Sequence, residues 1–416
     1  MTRIKVAHIT TIDLSLRYLL LDQLRAIQAA GYEVVGISAP GPDVPAIEAA
    51  GIRHIPVAMT RNLTPLHDLV TLWQLYRIMR RERFTIVHTH TPKPGLFGQL
   101  AARLAGVPVV LNTLHGFYFH DAMPSRSRRF YIALEKIAAW CSDVILSQNS
   151  EDIQTAIREG ISPPGKIKLL GNGIDLHAFD PDRFGEEEIR RRREDLGIPP
   201  DSKVVGFVGR LSARRKGFLD FLRAGEQVAR RHPEVRFLIV GEADPGKADA
   251  VEPEAAREYG IWDRCRFVGR LPNDELPGCY ALMDVLVLPS LFEGLPRVIM
   301  EASAMGIPAV ASNVKGNREA VEDGRTGLLV PLGDVPALAD AVVDILSDGD
   351  RARRMGEEAR RLARERFDQR LVFARVLEEY ERLLRAKGLQ RPADEALMAA
   401  LDGAGSAAIR EGSDRG

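Results

Sequence analysis

The sequence predicts an α/β protein made of two doubly wound, Rossmann-like parallel sheets. At 416 residues the chain is too long for one ordinary core and suits two domains of similar size. In both halves short β-branched runs alternate with amphipathic helical stretches, the pattern of a parallel sheet wrapped by helices. The alternation loosens between Gly171 and Ser202, through Gly171-Asn172-Gly173, Asp180-Pro181-Asp182 and a charged helix ending at Pro199-Pro200. That stretch reads as an interdomain connection, giving domains at 1–172 and 203–366 with a linker at 173–202. From 389 to 416 the chain lacks periodicity and reads as a disordered tail.

In the first half the strands fall at 4–9, 33–38, 86–89, 107–111 and 144–147. Ligands in such sheets sit beyond the carboxyl ends of strands, which points to the loops at 10–15, 88–95, 112–119 and 148–150. Asp13, in the first, could orient or deprotonate a hydroxyl, although an acid at a strand-to-helix turn more simply caps the helix. His88 and His90 share one strand face. With no acid or cysteine at ligand spacing, they read as hydrogen-bonded strand-end residues rather than a metal pair. His115 follows a strand and precedes Gly116, which lets a ligand approach closely. Two stretches mix basic and aromatic residues: 66–83, with Trp73, Tyr76, Arg77, Arg80, Arg81 and Arg83, and 126–131, with Arg126, Arg128, Arg129, Phe130 and Tyr131. Each suits an anionic lipid surface or a solvated helix face.

In the second half strands are expected at 203–208, 235–240, 266–268, 285–288 and 307–311. The first leads into Gly209-Arg210-Leu211-Ser212-Ala213-Arg214-Arg215-Lys216-Gly217, where four cations crowd one loop. Their self-repulsion is relieved if a diphosphate binds, and Arg and Lys together can neutralise one without a divalent ion. Gly241 to Lys247 has Walker A spacing, yet Ala248 supplies no hydroxyl and Glu242 and Asp244 would oppose phosphate. No strand is followed by the glycine pattern of a nicotinamide site. Two D-x-D pairs, Asp180/Asp182 and Asp348/Asp350, do not follow a core strand as a metal–diphosphate site should.

The most informative stretch is 285–331. Val285 to Leu288 is a strand, Gly294-Leu295-Pro296 a break, and Pro296 the expected first residue of a helix whose free amides, at Arg297 and Val298, can face an anion. Glu293 and Glu301 would repel a phosphate, so their natural partners are hydroxyl groups. Phosphate plus hydroxyls implies a sugar nucleotide. A retaining glycosidase needs carboxyl groups about 5–5.5 Å apart. Eight helical positions would separate these two by roughly 12 Å.

Glu-Gly-Leu-Pro followed by Glu301 resembles the E-x7-E signature of retaining GT-B glycosyltransferases of family 4. Arg318-Glu319-Ala320-Val321, Gly324 and Gly327-Leu328-Leu329-Val330-Pro331 fit the segment those enzymes carry next. The resemblance spans about residues 4–387. It implies a GT-B fold with two Rossmann-like domains facing across a cleft and a C-terminal helix at 367–387 crossing back to the first. It implies Glu293 on donor-sugar hydroxyls, Glu301 on ribose hydroxyls, Arg210 and Lys216 on the diphosphate, and His115 beside the donor sugar. Gly294, Leu295, Arg297 and Val298 complete the donor set, and Asp13, His90 and Lys93 are the acceptor-side candidates. Family members often carry Gly-Gly in the first loop, where this chain has Thr10-Thr11.

The expected activity is transfer of a hexosyl group from a nucleoside diphosphate sugar, UDP-linked by preference, with retained configuration and without a metal or other cofactor. The expected acceptor is a sugar or lipid-linked glycan of cell-surface polysaccharide synthesis. The alternatives are a UDP-sugar 2-epimerase-like isomerase and a non-catalytic binding module on the same architecture. The balance of 57 basic and 57 acidic residues removes any electrostatic case for nucleic acid as main partner. Three dispersed cysteines fit a reducing compartment. With no signal-like or membrane-spanning stretch, a cytoplasmic location is expected, with peripheral contact at the inner membrane face the one membrane role left open.

Overall fold

The computed structural model describes residues 4–60, 64–119, 123–244 and 246–389, so the expected tail lies outside the described residues apart from Leu389. The chain divides into two compact units, Met1–Gly171 with Arg370–Gly416, and Asn172–Gln369.

The first unit holds β1 (Lys5–Ile12), β2 (Glu33–Ala39), β3 (Arg53–Pro56), β4 (Ile86–Thr89), β5 (Val109–Leu114), β6 (Val144–Ser147) and β7 (Ile167–Leu169). They pair in the order β3-β2-β1-β4-β5-β6-β7, all parallel. Every residue of β4, β5 and β6 is buried, since helices cover both faces and leave no solvated side to demand alternation. The sheet grows one way from β1 to β3 and the other way from β4 to β7, so its topological switch point lies between β1 and β4. The helix Gln369–Ala386 belongs to this unit. Its Val376, Tyr380 and Leu384, fully buried, share a core with Val6, Ile86 and Leu111. Each such aliphatic side chain contributes about 1.5–3 kcal/mol by leaving water.

The second unit holds β8 (Val204–Val208), β9 (Arg236–Val240), β10 (Cys265–Gly269), β11 (Val285–Leu288), β12 (Ala309–Ser312) and β13 (Gly327–Val330). Their order is β10-β9-β8-β11-β12-β13, again all parallel, with the switch point between β8 and β11. The stretch 173–202, expected as a linker, packs as part of this unit. Ile174, Phe179 and Ile198 are buried with Leu286, Leu288 and Ile299. The Ile174 amide donates to the Phe367 carbonyl at 2.9 Å, and the Gln369 amide donates to the Ile174 carbonyl at 3.0 Å. Its polar, proline-rich composition suggested a connection because the apolar anchors are too widely spaced to register as an element.

Candidate functional site

At the switch point of the second unit, the loop after β8 meets the loop after β11. Gly217 allows the contact. Its φ of 69° is in the left-handed region, and a Cβ there would stand 2.0 Å from the Pro289 carbonyl oxygen. The Leu291 amide donates to the Arg215 carbonyl at 3.2 Å, and the Arg215 guanidinium lies 3.6 Å from the centre of the Phe292 ring. Lys216 Nζ donates to Glu293 Oε1 at 2.6 Å, with the two side chains 18% and 8% exposed. Arg210 Nη1 donates to Asp244 Oδ2 at 3.4 Å. Three of the four cations of this loop, Arg210, Arg215 and Lys216, therefore already have acidic or aromatic partners and Arg214 is exposed, so their crowding alone does not demand a bound anion.

Beyond Glu293 the backbone turns into the helix Arg297–Ala304. Pro296 is not its first residue, as the sequence suggested, but its N-cap, with φ −74° and ψ 116°. Its carbonyl accepts from the Ile299 amide at 3.2 Å, so the positions without a carbonyl behind them are Arg297 and Val298. Gly316 packs beneath the turn: a Cβ there would lie 2.2 Å from the Gly294 carbonyl oxygen. Asn172 Nδ2 donates to the Leu295 carbonyl at 3.1 Å and ties the same turn from the other side. Glu301, 5% exposed, accepts from the Tyr280 hydroxyl at 2.9 Å and faces Arg297 Nε at 3.5 Å. Burial and the adjacent Glu301 charge push the Tyr280 phenol well above its ordinary range, so it remains a donor. Arg210, Lys216, Glu293, Gly294, Leu295, Arg297, Val298 and Glu301 thus gather at one switch point. Sequence reasoning missed Tyr280, Asp244, Phe292 and Gly316. Of these only Gly316 left a signal, as a glycine inside a helix start.

The acceptor-side candidates in the first unit are engaged internally. Asp13 is buried and does not cap its own helix. Its Oδ2 accepts the Asp43 amide at 2.8 Å, holding the loop after β2. Lys93 is buried against Asp68, and its Nζ donates to Thr60 Oγ1 at 2.6 Å. His90, 1% exposed, bonds His8 at 3.0 Å and His115 at 3.3 Å. The group His8, His88 and His90 is the one set with metal-ligand proximity among the described residues. His88, however, uses both nitrogens in hydrogen bonds, to the Tyr380 hydroxyl and to Thr113 Oγ1, each at 2.7 Å. His115 is half-buried in the loop after β5.

The other motifs resolve into supports. Arg360 Nη2 lies 2.6 Å from both Asp180 and Asp182, Asp348 caps the helix Gly349–Arg366, and Asp350 pairs with Arg353. The Walker-like run includes residue 245, which is outside the described residues, and its Asp244 is the partner of Arg210. On the first unit, the helices Pro65–Glu82 and Ser125–Cys141 both expose apolar side chains. Leu66, Leu69, Val70 and Trp73 on one, and Phe130, Ile137 and Trp140 on the other, are between 48% and 83% exposed. Arg77 stacks on Trp73, and Arg126 and Arg129 are exposed. No helix among the described residues is long and apolar enough to cross a membrane.

Comparison with known proteins adds two family matches: residues 18–178 match the model described as Glycosyltransferase Family 4, and residues 188–362 the model described as Glycosyl transferases group 1. The chain is 32% identical over 292 residues, 70% of its length, to the Escherichia coli UDP-Gal:alpha-D-GlcNAc-diphosphoundecaprenol alpha-1,3-galactosyltransferase, covering 73% of that protein. It is 24% identical over 392 residues to the capsular polysaccharide biosynthesis glycosyltransferase CapM of Staphylococcus aureus, covering 92% of this chain and 98% of CapM. Its fold matches that of Anabaena HepE, solved with UDP and glucose, with TM-score 0.76 and 22% identity over 91% of this chain and 99% of that one. These relatives do not favour the isomerase reading.

Proposed function

The chain belongs to family 4 of the GT-B glycosyltransferases, and from that premise we propose that it moves a sugar from a UDP-sugar to a hydroxyl of a lipid-linked or polysaccharide acceptor, retaining the anomeric configuration. The observation that carries this reading is the Lys216–Glu293 contact, which joins the cationic loop after β8 to the helix start after β11 at the switch point where α/β sheets bind ligands. In this reading Lys216, Arg210 and the amides of Arg297 and Val298 hold the diphosphate. Glu293 takes hydroxyls of the transferred sugar. Glu301, kept in place by Tyr280 and Arg297, takes those of the ribose.

As the bond from the anomeric carbon to the diphosphate breaks, negative charge builds on the leaving oxygen. The two cations and the helix-terminal dipole stabilise it, which is the role a divalent ion plays elsewhere. The acceptor oxygen bonds to the same face, and its proton passes to the leaving phosphate. Turnover should therefore survive EDTA. The relatives' lipid-linked and capsular products, with the aromatic and basic faces at 66–73 and 126–140, support a cytoplasmic enzyme resting on an anionic membrane. NMR of the first-formed anomer is the test of the reaction. A product of inverted configuration overturns retention, and epimer formation from a UDP-sugar alone overturns transfer.

A further inference from the structure

The first unit contains a continuous chain of hydrogen-bonding rings that the proposed reaction does not yet use. His8 on β1 and His88 on β4 are register partners in the parallel ladder, so their rings emerge side by side. His90 follows two residues later on the same face, and its ring stacks on that of His88 at 4.4 Å. Thr113 Oγ1 contacts His88 Nε2 at 2.7 Å, and His88 Nδ1 contacts the Tyr380 hydroxyl at 2.7 Å. That hydroxyl contacts His8 Nε2 at 3.1 Å, His8 Nδ1 contacts His90 Nε2 at 3.0 Å, and His90 Nδ1 contacts His115 Nε2 at 3.3 Å. Every ring from His88 to His90 is at most 1% exposed, and Tyr380 is fully buried; only His115 is half-buried.

Burial holds these imidazoles neutral. It lowers His8 to about 3 and His115 to about 4, and moves His88 and His90 well below the usual histidine range. A neutral imidazole has one N–H and one bare nitrogen, so a contact between two rings forces the next one. Only two arrangements satisfy the series, with all protons pointing one way or all the other. In one, every ring is the Nδ1–H form, Thr113 donates into His88 and His115 accepts from His90 at Nε2; in the other, every ring is the Nε2–H form, His115 donates to His90 and His88 donates to Thr113. The backbone guards the alignment: Thr91, next to His90, sits at φ 59°, a strained value for a β-branched residue, and its Oγ1 is 3.0 Å from Thr11 Oγ1.

We propose that His90, His8 and Tyr380 are positioning residues that hold His115 in a single neutral tautomer, so that its Nδ1 meets a hydroxyl of a bound sugar in one preset hydrogen-bonding role. Aligned hydrogen bonds polarise one another, so the inner members also strengthen the terminal contact. The proposal rests on the glycosyltransfer reading for the identity of the ligand, but not for the tautomer.

The test is ¹⁵N–¹H NMR of histidine-labelled full-length protein, alongside turnover with the UDP-sugar it uses. Wild type should show His115, His90, His8 and His88 in one and the same tautomer, all Nδ1–H or all Nε2–H. Tyr380→Phe removes the hydroxyl that joins His88 to His8. It should shift His115 toward a mixture of tautomers and lower kcat about tenfold, with KM within about twofold. His90→Gln should do the same by breaking the chain next to His115. Wild-type rings of mixed tautomer, a His115 signal unmoved in both Tyr380→Phe and His90→Gln, or a tautomer change without a change in kcat would each overturn the proposal. Should no UDP-sugar be turned over by wild type, the glycosyltransfer reading fails on its own, and the wild-type NMR pattern still decides the tautomer.

Discussion

Replacing Glu293 by glutamine should make the protein bind UDP more tightly while nearly abolishing transfer. Glu293 occupies Lys216 at 2.6 Å. A phosphate oxygen seated on that ammonium would lie roughly 5 Å from the carboxylate, where two unit charges repel by about 3 kcal/mol at an effective dielectric of about 20. Lys216 is 18% exposed, so solvent screens part of this, and the amide still offers a neutral hydrogen bond. A net gain of about 1–2 kcal/mol remains, roughly 5- to 30-fold in Kd. Sugar transfer should move the other way, by about 100-fold in kcat, because the amide is a weaker acceptor for sugar hydroxyls as charge develops. Isothermal titration with UDP measures the first effect, and initial rates the second. In Lys216→Ala/Glu293→Gln the gain in UDP affinity should vanish, since no ammonium is left to release. A Glu293→Gln protein of native melting temperature that binds UDP no better than wild type would refute Lys216 as the diphosphate cation.

The remaining expectations concern stability and surface. Folded His8 and His115 titrate near 3 and 4, whereas the unfolded residues titrate near 6.5, so the unfolded chain binds more protons and stability falls as pH drops below about 6.5. By pH 5 His8 alone should cost about 2 kcal/mol, read as a lower urea midpoint than at pH 7.5. Glu82, which Arg53 and Lys5 hold down to about 2, loses its stabilising contribution only below its ordinary value of 4.5, so a flat midpoint from pH 7.5 to 5 would contradict the neutral histidine chain. Lys93→Met should destabilise by about 3–5 kcal/mol, because it strands the buried Asp68 carboxylate, and adding Asp68→Asn should recover most of that in chemical denaturation. Trp73→Glu and Trp140→Glu should leave the melting temperature within a degree or so and abolish co-sedimentation with vesicles rich in anionic lipid. Unchanged co-sedimentation would remove the membrane from the proposal.

Why some of this was legible and some not follows from where each residue finds its partner. Central strands such as β5 and β11 are buried on both faces, so they read as unbroken apolar runs. The edge strands β3, β7 and β13 were missed: each is only three or four residues long, and Arg53, Pro56 and Leu169 keep partial contact with solvent. Glu293 and Glu301 could be found because their spacing and the intervening Gly-Leu-Pro break are local. Tyr280 and Asp244 could not, since they matter only after β9 and β11 are placed beside β8. His8 likewise looked like an ordinary strand residue until β1 paired with β4. The cationic loop at 209–217 shows the same limit in its energetics. Counting charges along the chain suggested strong self-repulsion awaiting a ligand, but Asp244 and Glu293 arrive from other strand ends and remove much of it. A diphosphate entering this site does not fill an unmet electrostatic need. It must displace or share existing acidic partners, so selectivity for a sugar-linked diphosphate follows if the displaced Glu293 is repaid by sugar hydroxyls that UDP alone lacks.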